Sequence, residues 1–322
     1  MELTQLRYFQ AAAQYEHMTR AAEALYTSQS SLSKTIARLE AEIGQPLFDR
    51  IGNRIRLNAA GRQFAQAVNL MLRTLDDSVS TLRQENVQVS MAVSIPGLLP
   101  DLMERFRTSH PTVQLQQRLM EPSAMLSALL QCQLDLAVSH QPLHHGNVIW
   151  RPVYRDRVIA VVSLAHPLAA GGAIPLSKLK NEQFVSNNAG FGAEQLLHGL
   201  CAQAGFIPKV SLECNEPELL YKIVAGNNGV MLTPELPFLW KALMLHPDPP
   251  FQFLTTLPLT DQDAYVEIGL GTLRDRQLPS SAEDFCQLVI GSFQRLQAVR
   301  DSGREIVRND LMQALDFVNP LT

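Results

Sequence analysis

The chain has 322 residues, more than one hydrophobic core usually serves, so two or three folding units are expected. Apolar residues at 46% and charged residues at 18% are ordinary globular values and exclude a disordered or low-complexity chain. A formal net charge of −4 excludes a surface that attracts nucleic acid everywhere, so any such contact must be local.

Glu2, Thr4, Gln5 and Arg7 do not make the basic-then-apolar pattern of an export signal, and no apolar run approaches the ~20 residues that span a bilayer. A soluble, cytoplasmic protein without a membrane partner is expected. Cys132, Cys201, Cys214 and Cys286 are widely spread, with no CxxC pair and no Cys/His cluster at zinc spacing. They read as reduced core thiols, and neither a metal nor another cofactor is indicated.

In chain order, Leu3, Leu6, Phe9, Ala12 and Ala13 recur at helical spacing and predict a first helix ending near Tyr15. A second, short helix follows, with Thr19 as its cap and the small residues Ala21, Ala22 and Ala24 beside Leu25 allowing close approach of a neighbour. In the third, Thr27 or Ser28 offers a capping oxygen, Leu32, Ile36, Leu39 and Ile43 form a buried stripe, and Gly44 with Pro46 ends it. At ~100° per residue, Ser30, Ser33, Lys34 and Arg38 point away from that stripe, and Gln29 lies in the first turn. Such a face suits the DNA major groove, although by itself it reads equally as a solvated helix face. The next stretch decides between them: Phe48 to Leu57 reads as a tight hairpin turning at Gly52-Asn53, with Ile55 and Leu57 alternating with Arg54 and Arg56. A basic hairpin tip beside a polar helix supplies the phosphate and minor-groove contacts of a winged helix-turn-helix.

Residues 1 to about 65 resemble the DNA-binding domain of the LysR-type transcriptional regulators, through LRYFQAAAQYEHMTRAAEALYTSQSSLSKTIARLEAEIGQPLFDR and the following IRLNAAGRQF. The resemblance implies a partner in double-stranded promoter DNA. Gln29, Ser30, Ser33 and Lys34 would face bases, Thr27 and Arg38 would complete the DNA-facing set, and Arg54 or Arg56 would meet phosphate or the minor groove. Asn58 stands where the family usually has Thr at the cap of the next helix, a swap that capping chemistry tolerates. Ser30 and Lys34 occupy positions that vary among relatives, so no operator sequence carries over.

From Ala59 to about Gln84, Phe64, Val68, Met71, Leu75, Val79 and Leu82 repeat at alternating four- and three-residue steps, the seam of a coiled coil. A dimer through this helix is expected, and the resemblance implies a dimer of dimers and RNA polymerase as a further partner. Near Glu85 to Gln88 the heptads stop and strands begin to alternate with helices: Val89–Val93, Leu98–Phe106, Val113–Leu119, Met125–Leu130 and Leu134–Ser139. A second set starts near Ile159, with Phe184–Ser186, Glu194–Ala204, Val210–Glu213, Leu219–Ala225 and Val230–Thr233, before Tyr265–Leu270 returns to the first lobe. The fold class is therefore multidomain: an N-terminal all-α winged helix-turn-helix (1–58), a long linker helix (59–87), and an α/β two-lobed domain (88–295) that resembles the family's periplasmic-binding-protein-like effector domain. Its first lobe would hold about 88–160 and 265–295 and its second about 161–264. Residues 296–322, with Phe293, Leu296, Val299, Ile306, Leu311, Leu315 and Phe317, read as one or two amphipathic helices packed on a neighbouring surface, or serving assembly.

Two such lobes place strand ends and helix N-termini around a central cleft, which favours carboxylates, phosphates or amides. By position after strands, Ser94, Ile95, Ser139, His140, Ser186, Asn187 and Asn188 are the candidate effector residues, with Phe191 and Thr233 beside them. SIPGLLPDL is shorter than the family's usual loop there, and no Arg occupies a lining position, which points to a small polar acid or amide. Catalysis is not expected, because no GxSxG elbow, HExxH pair, P-loop or GxGxxG fingerprint occurs. A solute-binding transport protein of the same two-lobed fold is the rival reading, against which the DNA-binding N-terminus and the missing signal both speak.

Overall fold

The structure, a computed structural model, describes residues 1–52, 54–83, 87–95, 97–187, 193–242 and 250–315. The chain divides into two compact units, one comprising 1–87 with the short stretches 127–133 and 275–279, the other the remaining residues.

The first unit opens with three helices, α1 (Leu3–Tyr15), α2 (Met18–Ala24) and α3 (Gln29–Ile43). Leu6, Phe9, Ala12, Ala21, Ala22, Leu32, Ile36 and Leu39 are buried together, so the apolar spacing read from the sequence is the packed core. The Ser28 hydroxyl caps α3 by accepting the Ser31 N–H at 3.1 Å, and Gly44 closes it in the left-handed region at φ 83°. Thr19 does not cap α2, which begins one residue earlier on His17 without a side-chain cap, leaving Thr19 exposed in its first turn. Strands β1 (Phe48–Ile51) and β2 (Arg54–Leu57) pair antiparallel with Ile51 opposite Arg54, in the register expected of the hairpin, while Asn53 of the expected turn lies outside the described residues. Glu40 fixes the start of this wing by accepting the Leu47 and Phe48 N–H groups, and Glu16 fixes its return by accepting those of Ile55 and Leu57.

Helix α4 (Ala59–Leu82) starts under the Asn58 cap, whose side-chain oxygen accepts the Gly61 N–H at 2.8 Å. It runs 24 residues, ~36 Å. Its first half is domain core: Ala65, Val68 and Leu72 are buried against α1, and Gln10–Asn69 and Arg7–Asp76 contacts fasten the two helices. This revises the expected seam, whose first members Phe64 and Val68 pack on their own domain, while Met71, Leu75 and Leu82 are exposed.

In the second unit, β3 (Gln88–Val93), β4 (Gln114–Leu119) and β5 (Leu136–Ser139) run parallel, joined by α5 (Pro100–Ser109) and α6 (Pro122–Leu130). The sequence reading missed the extent of β6 (Val148–Ser163), a 16-residue strand that serves both lobes. Val148 to Arg157 pair antiparallel with β11 (Tyr265–Leu273) through a bulge that leaves out Val153, and Val158 to Ser163 pair with β9 (Met231–Pro234) and β10 (Leu254–Pro258). Alternate residues of this half feed two cores: Val158, Ala160 and Val162 on one face, Ile159 and Val161 on the other. The second lobe adds β7 (Gln183–Asn187), α7 (Ala193–Gln203), β8 (Lys209–Cys214), α8 (Pro217–Ala225) and the short α9 (Glu235–Trp240). Helix α10 (Ser280–Asp301) runs unbroken through 295 and 296, where the sequence placed the start of the extension, and α11 (Arg308–Leu315) follows it. Cys132, Cys201 and Cys286 are buried and Cys214 is half-buried, with no disulfide among them. No helix among the described residues is long and apolar enough to cross a membrane.

Candidate functional sites: a DNA-reading face and an inter-lobe cavity

On α3, Gln29, Ser30 and Lys34 are exposed, and Thr27 and Ser33 are half-buried at its start and flank. The Ser30 hydroxyl lies 3.1 Å from that of Ser28, which steadies it beside the cap. Arg38 is committed differently from its neighbours: its guanidinium pairs with Glu2 at 3.0 Å and Glu42 at 3.7 Å and must leave these partners to reach a phosphate. Such exposed pairs are worth little, so the exchange is easy. Arg54 and Arg56 are exposed on the wing, while Ile55 between them is buried. The sequence reading passed over Tyr26, which stands almost fully exposed in the turn before α3 at φ 52°. No periodicity marks a single residue in a turn, so only the fold reveals it.

In the second unit, the ends of β3, β5, β7 and β9 converge on a cavity of about 120 Å³ between the lobes. Ser94, Ile95, His140, Asn187 and Thr233, all singled out in the sequence, line it together. Ser139 does not: fully buried, it donates to the Gln141 carbonyl at 2.9 Å and accepts the Gln141 N–H at 3.1 Å, capping the turn that carries His140. Ser186 is buried in β7, one position from Asn187 and hence on the opposite face of the strand. Asn188 and Phe191 lie outside the described residues.

His140 is the best-defined polar group in the cavity. Burial pulls its pKa down to about 4, so the ring is neutral near pH 7. The Ser94 oxygen accepts the His140 backbone N–H at 2.9 Å and lies 2.7 Å from Nδ1. The arrangement that satisfies every group sends the Ser94 proton to Nδ1 and leaves the ring proton on Nε2. That Nε2 is buried and has no partner among the described residues. Leaving such a donor unpaired costs ~1–3 kcal/mol, so a ligand acceptor there is favoured.

The sequence missed the helical side of the cavity. Pro217, Leu220 and Tyr221 come from α8, and Pro237 and Lys241 from α9 and the turn after it. Lys241 places its ammonium 5.6 Å from the centre of the Tyr221 ring and 3.4 Å from Glu218, a carboxylate that is itself mostly exposed. With His140 neutral, Lys241 is the one cationic lining group among the described residues. Apolar walls from Ile95, Leu196, Leu220, Met231 and Val266 surround this polar set. Strand-end position flagged the residues on strands, whereas helix residues enter the site only through tertiary packing, for which one sequence carries no local signal.

A winged helix with a polar reading face, continued in the same chain by a two-lobed α/β domain with a cavity between its lobes, defines a DNA-binding transcription regulator that takes a small-molecule effector. Residues 3–62 match the family model for a bacterial regulatory helix-turn-helix protein of the lysR family, and residues 82–294 match the LysR substrate binding domain. The chain belongs to the LysR family of transcription regulators. It is 30% identical over 305 residues to the transcriptional dual regulator GltC of Bacillus subtilis (strain 168), covering 92% of this chain and 99% of that one. It is also 30% identical over 234 residues to a RuBisCO operon transcriptional regulator of Acidithiobacillus ferrooxidans, covering 71% and 76%. Among solved structures, a full-length OxyR variant from Pseudomonas aeruginosa shares the fold with a TM-score of 0.66 at 21% identity, over 93% of this chain and 96% of that one. Full-length BenM does so with a TM-score of 0.53 at 23% identity, over 96% and 100%. The helix-turn-helix match sets aside the transport-protein reading, and family members are regulators rather than enzymes.

Proposed function

We propose that this regulator binds a two-half-site operator as a dimer and that its effector is a small molecule with one anionic or acceptor group on a compact apolar body. In this reading residues 1–58 read DNA, 59–87 join protomers, 88–295 sense the effector and 296–322 are an extension. Gln29, Ser30, Ser33 and Lys34 meet base edges, Thr27 and Arg38 flank them, and Arg54 and Arg56 meet phosphate or the minor groove. The exposed apolar residues Met71, Leu75 and Leu82 on α4 support pairing through that helix. Assembly into dimers of dimers and contact with RNA polymerase rest on the resemblance to the family, and a promoter target accords with a cytoplasmic location.

The observation that carries the effector reading is that His140, with its buried Nε2, and Lys241 line one cavity whose walls are mainly apolar. The charged hydrogen bond from Lys241 should contribute ~1.5–3 kcal/mol to a carboxylate and much less to an amide. Calorimetry with full-length protein should therefore find phenylacetate binding better than phenylacetamide, with Lys241→Met weakening the acid about tenfold or more and leaving the amide almost unchanged. Footprinting of the chain's own upstream DNA should then change with phenylacetate. Equal binding of acid and amide, or an acid affinity indifferent to Lys241→Met, refutes the ligand class, and an unchanged footprint at saturation refutes the coupling.

A further inference from the structure

Helix α9 has six residues, too few to hold a position in space by its own hydrogen bonds, so its anchors decide where it stands. One of its faces belongs to the cavity through Pro237, and Lys241 follows directly after its last residue. Its other face carries Leu236 and Trp240, which line a small void together with Leu98, Leu102, Phe293, Leu296 and Ala314. The last turns of α10, beyond the family model's match at 294, therefore lie behind the wall of the cavity.

A buried charge network joins these pieces. The carboxylate of Asp156, fully buried on β6, accepts the Leu236 N–H in the first turn of α9 at 3.0 Å. Arg300, in the last turn of α10, pairs with Glu235 of α9, lies 3.6 Å from Asp156, and donates from Nε to the Tyr154 hydroxyl at 2.8 Å. Arg157 pairs with the same Glu235, which is 4% exposed. One turn earlier, Gln297 accepts the Arg155 N–H at 2.8 Å. All of this sits where β6 passes from one lobe to the other, since Arg157 is the last residue paired with β11 and Val158 the first paired with β9. Burial pushes the pKa of Asp156 upward, and the Leu236 N–H and Arg300 oppose that shift by favouring the carboxylate. Charge networks of this kind are weak evidence for stability and a better attested means of fixing one arrangement among several.

We propose that Arg300 is a positioning residue for the ligand cavity: by tying Glu235 and Asp156 together it holds α9 against β6 and so sets where Pro237 and Lys241 stand. This rests on the reading of that cavity as the effector site. The C-terminal segment is then part of the sensing apparatus, and a ligand that moves α9 must work against the Arg300 contacts.

Hydrogen exchange on the full-length protein tests this without any ligand, so failure here leaves the effector reading standing, and failure of the effector reading leaves this result intact. Arg300→Met should speed exchange at the amides of Leu236 and 238–242 roughly tenfold while changing those of α8, which packs beside α9 through Tyr221 and Phe238 but does not touch Arg300, less than about threefold. Glu235→Gln, which keeps the shape and weakens the pair, should loosen the same amides to a smaller degree. Arg300→Lys should restore part of the protection, because an ammonium reaches one carboxylate but cannot fork between two. Unchanged exchange in α9, loosening of α8 and α9 to the same degree, or full rescue by Arg300→Lys overturns the proposal; should Arg300→Met fail to fold, Glu235→Gln and Arg300→Lys carry the same test.

Discussion

The DNA-reading unit and the effector cavity organise polar groups in opposite ways. On α3 the proposed DNA-facing side chains are exposed or half-buried and close in sequence, five of them from Gln29 to Arg38, and an apolar stripe on the same helix determines their direction. In the cavity they come from four strand ends and two helices, separated by up to about 150 residues in sequence, and the best-defined group, His140, is half-buried with its Nε2 out of reach of water. The contrast has a functional sense. A duplex is a large, charged partner that comes to a surface, while a small molecule must be surrounded to be told from others.

The strongest test of the contrast is Leu32→Ala. Leu32 is fully buried in the first unit, so its truncation should cost ~2–5 kcal/mol there, abolishing operator binding at physiological temperature while leaving carboxylate binding intact. Loss of both activities in calorimetry would show that the units do not behave separately.

A similar energy is at stake in the cavity, through pH. His140 has a folded pKa of about 4 against 6.5 for the free ring. Between those values the unfolded chain binds more protons than the folded one, so the contribution is complete above pH 6.5 and is lost as pH falls toward 4. It amounts to roughly 3 kcal/mol at most. Urea denaturation between pH 4 and 7 should show a shallower pH slope for His140→Gln than for the natural protein, and parallel slopes would mean that the ring is not held neutral.

Smaller effects separate reading from anchoring on the DNA side. Gln29→Ala should remove ~1–3 kcal/mol of discrimination between operator and mismatched duplex, whereas Arg54→Ala should weaken all duplexes alike and flatten the salt dependence by about one counterion. Fluorescence anisotropy at several salt concentrations distinguishes the two, and a reversed pattern would exchange their roles. Smallest is Ser28→Ala, which removes the cap of α3 and should lower stability of the first unit by ~1 kcal/mol without altering base preference. Altered preference in the same anisotropy assay would place Ser28 on the reading face as well.

Where the determinants are local, the sequence was readable. The stripe Leu32, Ile36 and Leu39, with Ile43 half-buried at its end, the Ser28 cap chosen over Thr27, the Asn58 cap, the Gly44 stop and the pairing of the two wing strands are all local relations, and each appears in the structure where the sequence expects it. The heptad reading of α4 failed at its N-terminal half because the same apolar spacing serves an internal core and a partner equally well, so Val68 packs on its own domain. Strand-end position picked out Ser94, Ile95, His140, Asn187 and Thr233, which line the cavity, but it also put Ser139 forward, since the rule cannot tell a side chain that faces a cleft from one that turns back to cap Gln141.

By itself, then, the sequence determined the family, the DNA-reading helix and its wing, and the alternation of strands and helices, because backbone propensity and side-chain periodicity act over a few residues. Tertiary structure alone decided that one long strand serves both lobes, that Lys241 and His140 line one cavity, and that Arg300 meets Glu235 and Asp156 behind it. These are encounters between segments tens to more than a hundred residues apart, selected by how buried surfaces fit together, and nothing in the local order of residues records them.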